Sequence, residues 1–167
     1  NIEEYKRPKF DVNFDTLKGS YKAHDEIMIR GMAKAFAGNN IDGANVKYRV
    51  VRKARFPYYW SFYRWGQPAS ADMEITNGNV KTTTDGSFNI RFKAIPDETI
   101  DRNTLPVFDY YVYADVTDIN GETRSGSQLV SVSYRSLLLR IETPESADFN
   151  DFNALQVFTT NMAGTHI

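Results

Sequence analysis

The chain of 167 residues contains no cysteine, only two histidines, no excess of either charge and no long apolar run. Without cysteine there is no disulfide, no thiolate zinc site and no thiol nucleophile. An oxidising compartment stays open, because a well-filled core can stand without staples. His24 and His166 lie far apart, and neither has a second ligand nearby at zinc-site spacing, so no metal site is expected. Lys plus Arg is 20 and Asp plus Glu is 21, a formal balance of −1. That excludes the basic face a nucleic-acid binder needs and the polybasic patch of a membrane-surface domain. No apolar stretch approaches the roughly 20 residues of a transmembrane helix. A Gly-x-Ser-x-Gly elbow and a phosphate-cradling glycine loop are both missing, so no cofactor is expected. Acidic residues gather at Asp97-Glu98, Asp101, Asp148 and Asp151. Paired carboxylates about 5–10 Å apart in a cleft could hydrolyse a glycoside, but solvated surface loops are the simpler reading. Residues 97–101 also lack the glycine-centred spacing of a calcium loop. The expectation is a protein that is not an enzyme.

What is present is aromatic and periodic. Phe 11, Tyr 10 and Trp 2 accompany 41% hydrophobic residues, enough for a packed core, and this enrichment favours strands. Phe10, Val12 and Phe14 alternate with Asp11, Asn13 and Asp15, the rhythm of a half-buried strand. In residues 27–37, Ile27, Ile29, Gly31, Ala33 and Ala35 form one face, and Met28, Arg30, Met32, Lys34 and Phe36 the other. Ala, Met and Lys favour a helix here. Gly31 interrupts one and the alternation holds, so a strand is preferred, with small residues admitting a bulky neighbour. Val46, Tyr48 and Val50 alternate next, then Phe88, Ile90 and Phe92. Tyr110, Val112, Ala114 and Val116 follow, with Tyr111, Tyr113, Asp115 and Thr117 opposite, and finally Val130, Val132 and Tyr134. Asn77-Gly78, Asp85-Gly86 and Asn120-Gly121 are read as tight hairpin turns. About seven short strands between residues 8 and 135, with no amphipathic helix between them, predict an all-β fold. The form expected is an immunoglobulin- or fibronectin III-like antiparallel β-sandwich.

A second unit is expected over 136–167, after a first domain spanning 1–135. Leu137-Leu138-Leu139-Arg140-Ile141 is an apolar run, broken by Thr143–Asp148 and resumed at 154–160. Two strands cannot close a sandwich. This tail therefore docks on the first unit, pairs with another chain, or starts a further domain. The opening Asn1-Ile2-Glu3-Glu4-Tyr5 carries neither an initiator Met nor a leader, which suggests an interior piece of a longer protein.

The densest feature is Phe56-Pro57-Tyr58-Tyr59-Trp60-Ser61-Phe62-Tyr63-Arg64-Trp65, with seven aromatic residues in ten. Packing of these rings on the sandwich or on a neighbouring domain is the plain reading. A contact patch for a protein partner, where Tyr, Trp and Arg concentrate, and a stacking platform for sugars are the alternatives. Phe56, Tyr58, Tyr59, Trp60, Phe62, Tyr63, Arg64 and Trp65 are the candidate contact residues.

Three stretches resemble the α2-macroglobulin family. Glu3-Glu4-Tyr5-Lys6-Arg7-Pro8-Lys9-Phe10-Asp11-Val12 is similar to the entry of a macroglobulin domain. Residues 33–50 (AKAFAGNNIDGANVKYRV) resemble the next strand pair of bacterial members, with Asn40 where their turn carries proline. Residues 110–123 (YYVYADVTDINGET) resemble a later hairpin. The resemblance implies a non-catalytic β-sandwich scaffold in a long secreted, periplasmic or outer-membrane-anchored bacterial chain that traps endopeptidases after cleavage of a bait segment. Its partners would be neighbouring domains and, through the parent chain, proteases. The family's Cys-x-x-Gln thioester motif cannot occur here, and no stretch is assignable as bait. A carbohydrate- or protein-binding module of an adhesin-like envelope protein is the alternative.

Overall fold

The computed structural model describes residues 9–17, 19–56, 70–142, 156–162 and 164. Among them are nine strands: β1 (Phe10–Phe14), β2 (Glu26–Ala35), β3 (Asn45–Arg55), β4 (Met73–Lys81), β5 (Ser87–Lys93), β6 (Val107–Thr117), β7 (Thr123–Ser133), β8 (Leu138–Glu142) and β9 (Gln156–Thr160). One short 3-10 turn, Arg102–Thr104, precedes β6. No helix among the described residues is long and apolar enough to cross a membrane.

The first seven strands form two sheets, ordered β1-β2-β5 and β4-β3-β6-β7, and every pairing is antiparallel. A three-stranded sheet facing a four-stranded one in this order is the fibronectin III arrangement, as the strand rhythm anticipated. Period-two alternation makes it work, because each strand presents one apolar face to the gap between the sheets. The smaller sheet contributes Phe10, Val12, Ile27, Ile29, Phe88 and Ile90; the larger contributes Val46, Val50, Phe108, Tyr110, Val112 and Val132, all buried. Gly31 sits opposite Phe88, whose ring fills the space a side chain at 31 would need.

Two of the three expected hairpin turns need correction. Asn120-Gly121 does close the β6–β7 hairpin, with Gly121 at φ 83° and Asp118 accepting from the backbone N–H groups of Asn120 and Glu122. Asn77-Gly78, however, lies inside β4, opposite Arg49 and Tyr48. The glycine is required there by crowding, since an added Cβ would stand 2.8 Å from the Tyr48 hydroxyl oxygen. Asp85-Gly86 is a tight turn, but it carries the chain from β4 of one sheet to β5 of the other.

β8 and β9 pair antiparallel as a separate two-stranded sheet. The contacts to the sandwich are few: Ser20 Oγ donates to the Ser136 carbonyl at 2.8 Å, and Asn161 Nδ2 donates to the Gly19 carbonyl at 3.3 Å. Leu139, Ile141 and Val157 are 71%, 59% and 58% exposed.

Candidate interaction surface

Of the eight aromatic-segment candidates, only Phe56 lies among the described residues. It is half-buried and packed against the core. Tyr58, Tyr59, Trp60, Phe62, Tyr63, Arg64 and Trp65 lie outside the described residues. The anchors on either side of the segment can be placed. β3 leads into it, and Ser70 follows it, with Ser70 Oγ donating to Asp97 Oδ2 at 2.6 Å.

Those anchors belong to a polar end of the sandwich. Arg52 points inward from β3 and is only 4% exposed. It donates to the Ile95 carbonyl at 3.3 Å and to Asp97 Oδ2 at 3.4 Å. Hydroxyl donation from Ser70 and Thr99 holds the Asp97 carboxyl below the usual carboxylate range, and the charge of Arg52 adds to this. Arg52 Nε and the hydroxyls of Tyr110 and Tyr134 are buried without a hydrogen-bond partner among the described residues. Burial pushes both phenols upward. At the same end His24 contacts Glu98 at 3.1 Å, and the Arg102 guanidinium lies 4.5 Å from the centre of the Tyr134 ring.

A second feature covers the outer face of the larger sheet. The residues of β3 and β6 that point away from the core meet in register: Lys47 opposite Asp115, Arg49 opposite Tyr113, Lys53 opposite Asp109. Tyr111 and Tyr113, two residues apart on one strand, stack with ring centres 6.4 Å apart and planes inclined by 14°. The Arg49 guanidinium sits 4.9 Å from the Tyr113 ring centre and Lys53 Nζ 5.8 Å from that of Tyr111, within cation–π range. Lys53 also pairs with Asp72 at 2.7 Å, a bond that raises its pKa. Arg55 reaches Asp109 at 3.1 Å, and Ser131 donates to the same carboxylate at 2.6 Å. A shallow cleft of about 350 Å³ lies beside the ladder, lined by Lys47, Tyr48, Arg49, Glu74, Asn77, Tyr113 and Asp115.

The chemistry of this face is recognition. Tyr and Arg standing over a rigid sheet are the side chains that concentrate at protein contacts. The serines nearby, Ser125 and Ser131, donate to aspartates and have no histidine beside them. No group of three or more His, Asp or Glu among the described residues is arranged to hold a metal ion. The alternation visible in the sequence separates Tyr111 and Tyr113 from the core, but the partnership with Arg49 and Lys53 depends on a register between strands some 60 residues apart. No local signal encodes that register.

No family model and no curated protein matches the sequence. Solved structures do match the fold. Over 97% of its length the chain superposes on Escherichia coli α2-macroglobulin in its native conformation, with a TM-score of 0.62 and 9% identity. The elastase-activated form of that protein matches over 96% with a TM-score of 0.64 and 9% identity. The trypsin-activated form matches over 94%, at 0.61 and 10%. The chain corresponds to 11%, 15% and 12% of those chains, respectively. Its fold is macroglobulin-like.

Proposed function

We propose that this chain is a non-catalytic scaffold domain of a bacterial α2-macroglobulin-like endopeptidase inhibitor, working in the periplasm, on the outer membrane or outside the cell. The observation that carries the reading is the superposition on Escherichia coli α2-macroglobulin, which extends over nearly the whole chain. The ordered likeness of residues 3–12, 33–50 and 110–123 to macroglobulin strands supports it independently of the coordinates. Residues 1–135 would form one macroglobulin-like sandwich and 136–167 the opening strands of the next. The sparse contacts between the β8–β9 pair and the sandwich, and its exposed Leu139, Ile141 and Val157, fit that division. The chain's partners would be adjacent domains, with proteases engaged by the parent protein.

The test compares the parent protein with the isolated chain. Each is incubated with trypsin, and residual cleavage of a protein substrate and of a small chromogenic peptide is measured. The parent should protect the large substrate while the small one is still cut, and the isolated chain should do neither. Hydrolytic activity in the isolated chain, or a parent with no effect on proteases, would sink the reading.

The second reading, a carbohydrate- or protein-binding module of an adhesin-like envelope protein, is favoured by the Tyr111–Tyr113 ladder and the neighbouring cleft. Polysaccharide pull-down that is lost in Trp60→Ala and Trp65→Ala would support it over the scaffold reading.

A further inference from the structure

The sandwich has four strand edges, and three are guarded against pairing with another chain. β1 is five residues long and exposes Asp11. β5 exposes Arg91 and Lys93. β4 carries Glu74 and Lys81, and its register with β3 breaks between Val50 and Val51. Short length, charge and bulges are the usual protections of an edge. β7 has none of them. It runs eleven residues in unbroken register with β6, from Val107↔Ser133 to Thr117↔Thr123.

The direction of its free backbone groups follows from one contact. Ala23 N–H donates to the Ser133 carbonyl at 2.9 Å, on the side away from β6. Backbone groups alternate sides along a strand, so Ser131, Leu129, Ser127, Ser125 and Thr123 also turn theirs to the open edge. Their side chains are uncharged. The Leu129 carbonyl accepts from the Gln128 side-chain amide at 3.1 Å, and a carbonyl has room for a second donor. β1 lies against the inner face of β7 at Gly126 and leaves the edge itself open.

We infer that this edge pairs with the same edge of a second copy, β7 against β7 in antiparallel fashion about a two-fold axis at Ser127. That register spans the free stretch and stops short of Ser133, which Ala23 already occupies, and of the Asn120-Gly121 turn. It sets Ser127 against Ser127, Leu129 against Ser125 and Ser131 against Thr123, and the one charged residue, Arg124, against Val130. No like charges face each other, and a net charge of −1 gives the copies little mutual repulsion. Small Ser125 and Thr123 would enter a groove of about 140 Å³ beside Gln128–Ser131, bordered by Leu17, Tyr21 and Asn161. A single strand pair buries far less than the roughly 800 Å² per partner of a stable complex, so the association is weak and concentration-dependent.

The absence of cysteine makes the register testable in the 167-residue chain. Ser127→Cys places two thiols opposite each other, within the Cα separation of roughly 4.4–6.8 Å that a disulfide spans. Ser125→Cys places its two thiols four residues apart along the paired strands. Under mild oxidation Ser127→Cys should form dimer at least tenfold faster than Ser125→Cys. Sedimentation velocity should show a concentration-dependent dimer that disappears in Ser127→Pro and Ser127→Lys. The Ser127 N–H faces the open edge, so proline there removes no bond to β6, and circular dichroism checks that both variants fold. Equal cross-linking of the two cysteine variants, a monomer at every concentration, or association that survives Ser127→Pro but is lost in Ile141→Ser would each overturn the proposal.

Discussion

Gly31 and Tyr110 show opposite ways in which one atom matters in this core. At Gly31 an added side chain meets the Phe88 ring. Gly31→Val should therefore cost about 1–3 kcal/mol through overpacking, despite the better strand propensity of valine. Urea unfolding followed by fluorescence measures it, and an unchanged midpoint would refute the packing argument. At Tyr110 the ring is fully buried and its hydroxyl has no hydrogen-bond partner among the described residues. Deleting an unpaired buried hydroxyl relieves a desolvation cost, so Tyr110→Phe should leave stability unchanged or raise it by about 1 kcal/mol. A clear loss would reveal a partner for that oxygen. The sequence made the need for small residues on the inner face of β2 legible. It did not reveal that Gly78 is a packing glycine, because Asn-Gly reads as a turn until Tyr48 is placed over it.

Among the elements, the turns carry the pH dependence. Asp85 accepts from the hydroxyls of Thr83 and Ser87 and from the Ser87 N–H, with Arg30 nearby at 2.9 Å. These bonds hold its carboxyl well below the ordinary range. Asp118 is lowered in the same way by Asn120 and Glu122, and Asp97 by Ser70 and Thr99. A folded-state pKa below the unfolded value means that the folded protein binds fewer protons. The associated stability is present above roughly pH 4 and is lost as the pH falls below it. The urea midpoint should hold from pH 7 to 5 and drop towards pH 2.5, with a shallower drop in Asp85→Asn. A midpoint that rises on acidification would contradict the assignment. Strand positions were readable because period-two alternation is a local property of the chain. Which strands become neighbours was not, since the β3–β6 register and the handover at Asp85-Gly86 arise from packing two sheets together. The same limit hid the ladder of Arg49, Lys53, Tyr111 and Tyr113, whereas the aromatic run at 56–65 stood out because it is contiguous.

For the whole molecule, the sandwich of β1–β7 holds the buried core and the β8–β9 pair adds little to it. Removing residues 137–167 should change the unfolding free energy of the remainder by less than about 2 kcal/mol, the order of two partly exposed hydrogen bonds. Collapse of the truncated chain would mean that the pair is integral to the sandwich. The architecture also places function at surfaces: a polar end around Arg52 and Asp97, a Tyr–cation face on the larger sheet, and an unguarded edge along β7.

The scaffold assignment is tested most directly by cryo-electron microscopy of the longer protein from which this chain comes. The account predicts residues 9–135 as one sandwich within a row of similar sandwiches, with residues 136–167 completed into the adjoining one by the chain that follows. An isolated sandwich tethered to an unrelated catalytic domain, or a β8–β9 pair folded back as part of the first core, would contradict it.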